Sequence, residues 1–113
     1  MAAAHFDLRH RLSTGKPFFF TWMSIPSAGL AAQAARLPIE AVCLDMQHGM
    51  IGFSDAVGMI AAINAAGRPA LVRSLWNDPQ TPGQLLDAGA SAVIAPMVNS
   101  RAEAEAAVEA ANF

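Results

Sequence analysis

The residues of this sequence with the clearest chemical potential lie between Cys43 and Gly49, where an apolar run ends in Asp45, Gln47 and His48. Histidine has an unperturbed pKa of about 6.5, so a modest change in its surroundings lets it accept and return a proton near neutral pH. His48 is therefore a candidate general base. The alternative is a structural histidine whose side chain is hydrogen-bonded to backbone in a loop.

Arg73 is the second candidate, because it closes the apolar run Ala70-Leu71-Val72. Burying a guanidinium without a hydrogen-bond partner costs free energy. Arg73 must therefore contact an anion or carbonyl oxygens. A substrate carboxylate or oxo group would satisfy it, and so would an ion pair with Asp45 or Asp78. The residues by themselves leave both possibilities open.

These residues must be positioned by the elements around them, and the sequence predicts four successive strand and helix units. Short apolar runs bounded by Gly, Pro or Ser predict the strands, which are residues 18–23, 41–44, 70–73 and 92–97. Helical spacing of apolar residues predicts the helices, which are 28–37, 54–66, 83–88 and 101–111. Ser54 is the predicted cap of the second helix, and Asn99 or Ser100 that of the last.

Strands that are continuous apolar runs indicate a parallel α/β sheet covered by helices. Units of this kind match the amino-terminal half of a TIM (β/α)8 barrel, and no domain boundary divides residues 1–113. The chain stops at Asn112-Phe113, where a fifth strand would be expected, so we expect a truncated barrel. Catalytic groups of such barrels stand at the carboxyl ends of the strands, where His48 and Arg73 both fall.

Composition narrows the class of protein. The chain has 113 residues, of which 54% are hydrophobic and 14% charged, with a formal net charge of -2. This balance is typical of a globular protein, and the absence of a basic cluster argues against nucleic acid or a membrane surface as partner. The single cysteine, Cys43, suits a reducing cytoplasm, and residues 1–10 lack a signal peptide's apolar stretch. We predict a cytoplasmic protein that acts on small molecules.

Four segments carry a resemblance to a known family. They are residues 21–27, 42–49, 71–78, and 86–90 leading into 94–99. In their order and spacing they resemble the HpcH/HpaI aldolase/citrate lyase family, class II 2-oxo-acid aldolases with TIM-barrel folds, which includes 2,4-dihydroxyhept-2-ene-1,7-dioate aldolases. The resemblance implies a metal-dependent aldolase that reversibly cleaves 4-hydroxy-2-oxo acids to pyruvate and an aldehyde, and a homo-oligomer when full length.

The resemblance also implies roles for individual residues. His48 would be the general base, and Arg73 would bind the 2-oxo acid and stabilise the developing enolate. Asp87 corresponds to a residue that raises the basicity of the histidine. Because Asp87 ends a helix just before a strand, it falls near the opposite face of its own barrel. We predict that it reaches a histidine across a subunit interface; the alternatives are a plain helix-end residue, and Asp45 as the partner of His48.

The family uses a divalent cation such as Mg2+, Mn2+ or Co2+, whose Glu and Asp ligands are expected beyond Phe113, so no metal ligand is assigned within this chain. Gln47 stands where many relatives have Glu, which keeps an acceptor oxygen but removes a charge near the metal region. The only lysine, Lys16, precedes the first strand, so this chain offers no candidate for a Schiff base.

Three alternatives stay open at this point. A citrate lyase β-subunit-like enzyme would cleave acyl-CoA thioesters with the same fold and metal, although the segment Asp45 to Gly49 favours the simple 2-oxo-acid branch. A truncated half-barrel would be catalytically inactive. A phosphate-binding TIM barrel is the third, but its phosphate site usually comes from the last two strands.

Overall fold

The computed structural model describes residues 7–112, so expectations that concern residues 1–6 or Phe113 lie outside the described part. One parallel sheet forms the centre of the molecule, with four strands in the order β1-β2-β3-β4. The strands are β1 Phe20–Met23, β2 Ala41–Asp45, β3 Ala70–Arg73 and β4 Ala92–Ile94. The predicted succession of βα units in a partial barrel is confirmed.

A helix follows each strand, and a further short helix precedes the first. The helices are α1 Leu8–Ser13, α2 Ala28–Ala34, α3 Phe53–Ala65, α4 Thr81–Asp87 and α5 Arg101–Ala110. α1 was not predicted; it has one turn and a half, its amino end is capped by the Asp7 carboxylate, and Arg11 joins it to Glu40 in an ion pair of 2.6 Å. These polar contacts stabilise it without the apolar periodicity that predicts longer helices.

Several predicted boundaries were wrong for local reasons. β1 begins at Phe20 and not at residue 18, because the Glu40 carboxylate takes the N–H of Phe19. β4 ends at Ile94 and not at residue 97: Pro96 has no N–H to donate to a ladder, and Met97 adopts a φ of 58°.

The cap predicted for the second helix was also wrong. α3 begins after Gly52, whose N–H donates to the Asp55 carboxylate at 3.0 Å, and Ser54 lies inside the first turn. The prediction of Ser100 as the last cap is confirmed, since its hydroxyl accepts the N–H of Glu103. α4 starts at Thr81, two residues earlier than predicted.

The two faces of the sheet have different surroundings. The outer face carries Val42, Leu44 and Val72 and packs against α2 and α3 in the main hydrophobic core. The inner face carries a smaller cluster around Cys43 and Leu71. Because side chains alternate along a strand, the next inner-face positions of β2 and β3 are their last residues. The fold thus brings two charged side chains together above a small apolar layer.

Cys43 is a free thiol that is fully buried on the inner face of the sheet. Burial raises the pKa of its thiol to about 12, so it stays protonated and inert. No helix between residues 7 and 112 has the length and apolar character needed to cross a membrane.

Candidate active site

Asp45 is the centre of a polar cluster at the carboxyl edge of the sheet. It is the last residue of β2 and is only 3% exposed, yet its carboxylate accepts five hydrogen bonds. The donors are Nε and Nη2 of Arg73, the indole N–H of Trp22, and the backbone N–H groups of Gln47 and His48. Every lone pair of the carboxylate is therefore engaged, and Asp45 is a fixed anion.

Arg73 faces Asp45 across neighbouring strands, because the register pairs the two residues. Its Nε lies 3.0 Å from Oδ1 and its Nη2 lies 2.7 Å from Oδ2, which is a bidentate ion pair. Of the two ion pairs considered for Arg73, the one with Asp45 is present. Asp78 instead accepts the backbone N–H groups of Gln80 and Thr81 at the start of α4.

The guanidinium keeps donors for a ligand despite this pairing. Its side chain is 24% exposed, and Nη1 donates no hydrogen bond to any of residues 7–112. A bidentate partner on one edge leaves Nη1 and the outer hydrogen of Nη2 pointing away from Asp45. Arg73 can thus be both an ion-pair partner and an anion-binding group.

The charges of the pair reinforce each other. The Arg73 guanidinium is the main reason that the pKa of Asp45 lies well below its usual range, and the N–H groups of Trp22, His48 and Gln47 lower it further. The Asp45 carboxylate in turn raises the pKa of Arg73. Asp45 therefore stays ionised at neutral pH and orients other groups without exchanging a proton itself.

We expect this pair to make unfolding depend on pH in the acid range. The pKa of Asp45 is lower in the folded chain than the value of about 3.9 in an unfolded chain, so its stabilisation is fully present above that value. The stabilisation is lost as the pH falls from about 4 towards the folded pKa. Urea unfolding between pH 7 and pH 3 should show a smaller acid loss in Asp45→Asn than in the wild type; parallel curves would contradict this.

His48 is held by its backbone and not by its side chain. Its N–H donates to Oδ1 of Asp45 at 3.2 Å, whereas its imidazole is exposed and forms no hydrogen bond within the described residues. A structural histidine bonded to loop backbone is therefore not what the structure contains. Asp45 contacts His48 through the main chain, so it is not a partner of the imidazole in this arrangement.

Gly49 fixes the loop that carries His48. A Cβ at this position would lie 2.1 Å from the backbone oxygen of Asp45 and 3.0 Å from Cα of Ser24. The next residue, Met50, donates its N–H to the oxygen of Ser24 at 2.9 Å. The loop after β2 is thus pressed against the loop after β1, and only glycine permits the approach.

The other predicted site residues are placed differently. Gln47 is half-buried and reaches Asp45 through its backbone N–H at 3.0 Å. Asp87 is exposed at the end of α4, and this end meets the amino-terminal edge of the sheet through the turn at Gly89. Within a single chain the structure therefore does not bring Asp87 to His48.

No metal-binding cluster exists among residues 7–112, where no three His, Cys, Asp or Glu side chains converge. Asp45, the acidic residue nearest in sequence to the candidate base, has its oxygens occupied by five donors. The described residues therefore do not form a cation site by themselves.

Trp22 is the contributor that sequence reasoning missed. It was placed in the first strand without a role, yet its indole contacts both members of the ion pair. A tryptophan near the carboxyl end of a parallel strand, with an N–H donor and an apolar ring, is the signal that could have identified it.

The sequence model of the HpcH/HpaI aldolase/citrate lyase family matches residues 19–113 of this chain. The chain belongs to this family. The HpcH/HpaI assignment covers β1 to α5 and so includes the whole polar cluster.

Individual proteins similar to this chain support the same family assignment. A hydroxypyruvate/pyruvate aldolase of Rhizorhabdus wittichii is 42% identical over 99 residues, which are 88% of this chain and 39% of that protein. A 4-hydroxy-2-oxo-heptane-1,7-dioate aldolase of Klebsiella pneumoniae is 30% identical over 90% of this chain and 38% of its own length. The crystal structure of an HpcH/HpaI family protein from Burkholderia cenocepacia superposes with a TM-score of 0.87 at 28% identity, covering 94% of this chain and 42% of that one. The chain thus spans about two fifths of the length of these relatives.

Proposed function

We propose that this chain supplies the proton-transfer and anion-binding groups of an aldolase that reversibly cleaves 4-hydroxy-2-oxo acids to pyruvate and an aldehyde. One observation carries the proposal: Asp45 fixes Arg73 and the backbone of His48 at one edge of the sheet, and leaves donors of Arg73 and the His48 imidazole available. The similarity to a hydroxypyruvate/pyruvate aldolase and to a 4-hydroxy-2-oxo-heptane-1,7-dioate aldolase supports the substrate class.

Arg73 has the chemistry of a 2-oxo-acid site. Its unpaired N–H groups can donate to a carboxylate or an oxo oxygen, and its charge favours the anion in either position. When pyruvate becomes an enolate, negative charge develops on the oxo oxygen. A guanidinium that is already oriented by Asp45 stabilises this charge without having to reorganise, which lowers the barrier more than it strengthens substrate binding.

His48 is proposed as the base in both directions. In synthesis the imidazole takes a proton from the methyl carbon of pyruvate, and the C–H electron pair becomes the C=C bond of the enolate. In cleavage it takes the proton of the C4 hydroxyl while the C3–C4 bond breaks, which releases the aldehyde and the same enolate. Gln47, the residue directly before His48, supports the base because its own backbone N–H donates to the Asp45 carboxylate.

The proposal extends to a cation, to a neighbouring subunit and to the location of the protein. A divalent cation, Mg2+, Mn2+ or Co2+, would polarise the oxo group, with ligands outside residues 7–112. Asp87 would act on the histidine of a neighbouring subunit, because its own chain places it at the opposite edge; this role requires a homo-oligomer. A cytoplasmic location agrees with the free Cys43 thiol.

The test follows exchange of the methyl protons of pyruvate for deuterium, because this half-reaction needs no aldehyde. The chain is tested as part of a full-length barrel that carries the cation ligands expected beyond Phe113. This protein is incubated with pyruvate and Mg2+, Mn2+ or Co2+ in D2O, and the methyl signal is followed by NMR. We expect exchange that falls about 10²-fold to 10⁴-fold in His48→Ala, the usual contribution of a general base.

His10→Ala is the matched control, since His10 is an exposed histidine of α1 whose imidazole has no partner within the described residues. Its exchange rate should equal that of the wild type. Equal rates in His48→Ala and His10→Ala would show that His48 is not the base. No exchange in the wild-type full-length barrel would contradict the proposal.

A further inference from the structure

We infer that Trp22 is a positioning residue, which holds Asp45 and Arg73 in the orientation that presents the unpaired edge of the guanidinium to a 2-oxo acid. The inference rests on the proposed function of Arg73 as the anion-binding group. Trp22 has no role in the comparisons above, and its own sequence pattern predicts only a strand residue.

Two contacts made by one side chain carry the inference. The indole N–H donates to Oδ2 of Asp45 at 3.0 Å, and this is the oxygen that also accepts Nη2 of Arg73 at 2.7 Å. The face of the same indole lies under the guanidinium, with Cζ of Arg73 4.9 Å from the ring centroid. The first contact fixes the carboxylate, and the second keeps the guanidinium over the ring.

The indole is itself supported from below. Phe20 and Trp22 lie on one face of β1 with their ring centroids 6.2 Å apart, and the ring of Phe18, just before the strand, lies 5.7 Å from that of Phe20. The register places Trp22 beside Cys43, so the indole reaches from β1 to the end of β2. This row of aromatic rings gives the indole a fixed support, which a positioning role requires.

Simple core packing does not account for these contacts. The Trp22 indole donates a charge-assisted hydrogen bond to a carboxylate that is 3% exposed. A tryptophan that served only to fill space would bury its ring among apolar groups. Here the ring covers one side of an ion pair at the edge where the ligand would enter.

The experiment compares Trp22→Phe with Trp76→Phe. Phenylalanine keeps a ring face under the guanidinium but removes the N–H donor, and Trp76 is an exposed tryptophan in the loop after β3 that makes neither contact. Circular dichroism establishes that each variant is folded. NMR then gives the solvent exchange rate of the Arg73 Nε–H, the pKa of Asp45 from its carboxyl carbon, and the affinity for pyruvate.

In Trp22→Phe we expect faster exchange of the Arg73 Nε–H, a raised pKa of Asp45 because one stabilising donor is lost, and pyruvate binding weakened about tenfold. Trp76→Phe should match the wild type in all three. Unchanged exchange and an unchanged pKa of Asp45 in Trp22→Phe would overturn the positioning role, whatever happens to pyruvate.

Arg73→Lys separates this inference from the proposed function. If pyruvate binding is lost in Arg73→Lys but unchanged in Trp22→Phe, the anion-binding role of Arg73 stands and the inference about Trp22 is wrong. If the wild type binds no pyruvate while Trp22→Phe still loosens Arg73, the ordering of the pair by Trp22 is supported and the proposed function falls.

Discussion

Replacement of Asp45 by asparagine is expected to lower the free energy of unfolding by about 2–4 kcal/mol. Asparagine has the same shape, but it removes the counter-charge of Arg73 and gives the site an NH₂ group that would face N–H donors. The cost of breaking a buried ion pair comes from the charge left without a partner. Because the Arg73 side chain is 24% exposed, water repays part of that cost, and we expect less than a fully buried pair would lose.

Chemical denaturation followed by circular dichroism measures this change. Asp87→Asn is the matched control, because the same substitution is made at an exposed carboxylate for which the structure gives no hydrogen-bond partner within residues 7–112. Its effect should stay within about 0.5 kcal/mol. If the two variants were equally stable, the five hydrogen bonds of Asp45 would not contribute to stability as the structure implies.

Gly49→Ala is expected to cost about 3 kcal/mol or more, or to displace the loop that carries His48. The added Cβ would lie 2.1 Å from the backbone oxygen of Asp45, and neither the end of β2 nor Cα of Ser24 can move without breaking the contact between the two loops. Since His48 precedes Gly49 directly, we expect the His48 side chain to be displaced as the free energy of unfolding falls. Unfolding experiments and the NMR spectrum of the His48 backbone report the two effects.

Gly58→Ala is the matched control for Gly49→Ala, because the same substitution is made where a Cβ meets no neighbouring atom. Gly58 lies inside α3, and a Cβ there would meet nothing within 4 Å. Alanine is the better helix former, so the same substitution should raise the free energy of unfolding by about 0.5–1 kcal/mol. Opposite signs at the two glycines would support the described loop contact, whereas a neutral Gly49→Ala would contradict it.

The sequence predicted the order of the elements because continuous apolar runs and helical spacing are local signals. The ends of the elements depend on single polar contacts, which these signals do not contain. The N–H of Phe19 donates to the Glu40 carboxylate, so β1 begins only at Phe20. The N–H of Gly52 donates to the Asp55 carboxylate, so α3 begins after Gly52 and not after Ser54. α1 was missed because its six residues are stabilised by Asp7 and Arg11 and not by an apolar stripe.

For the candidate site, the sequence predicted the positions of the main residues but not the contacts between them. Position at the carboxyl ends of strands singled out His48 and Arg73, and the structure places both at one edge. The bidentate pairing with Asp45 needed the register of β2 and β3, and the contribution of Trp22 needed the direction of a side chain across β1 and β2. Neither the strand register nor the direction of the Trp22 side chain can be predicted from the spacing of residues along the chain. The roles of His48, Arg73 and Asp87 stay predictions.

The sequential strand order has a consequence for how the chain acquires its structure. Each contact of the polar cluster joins neighbouring strands that are also consecutive in sequence, so the loops that must close contain no other strand of the sheet. Trp22, Asp45 and Arg73 are all synthesised before β4 begins at Ala92. The cluster can therefore assemble before β4 pairs with β3, and we expect the first three strands to form the folding nucleus.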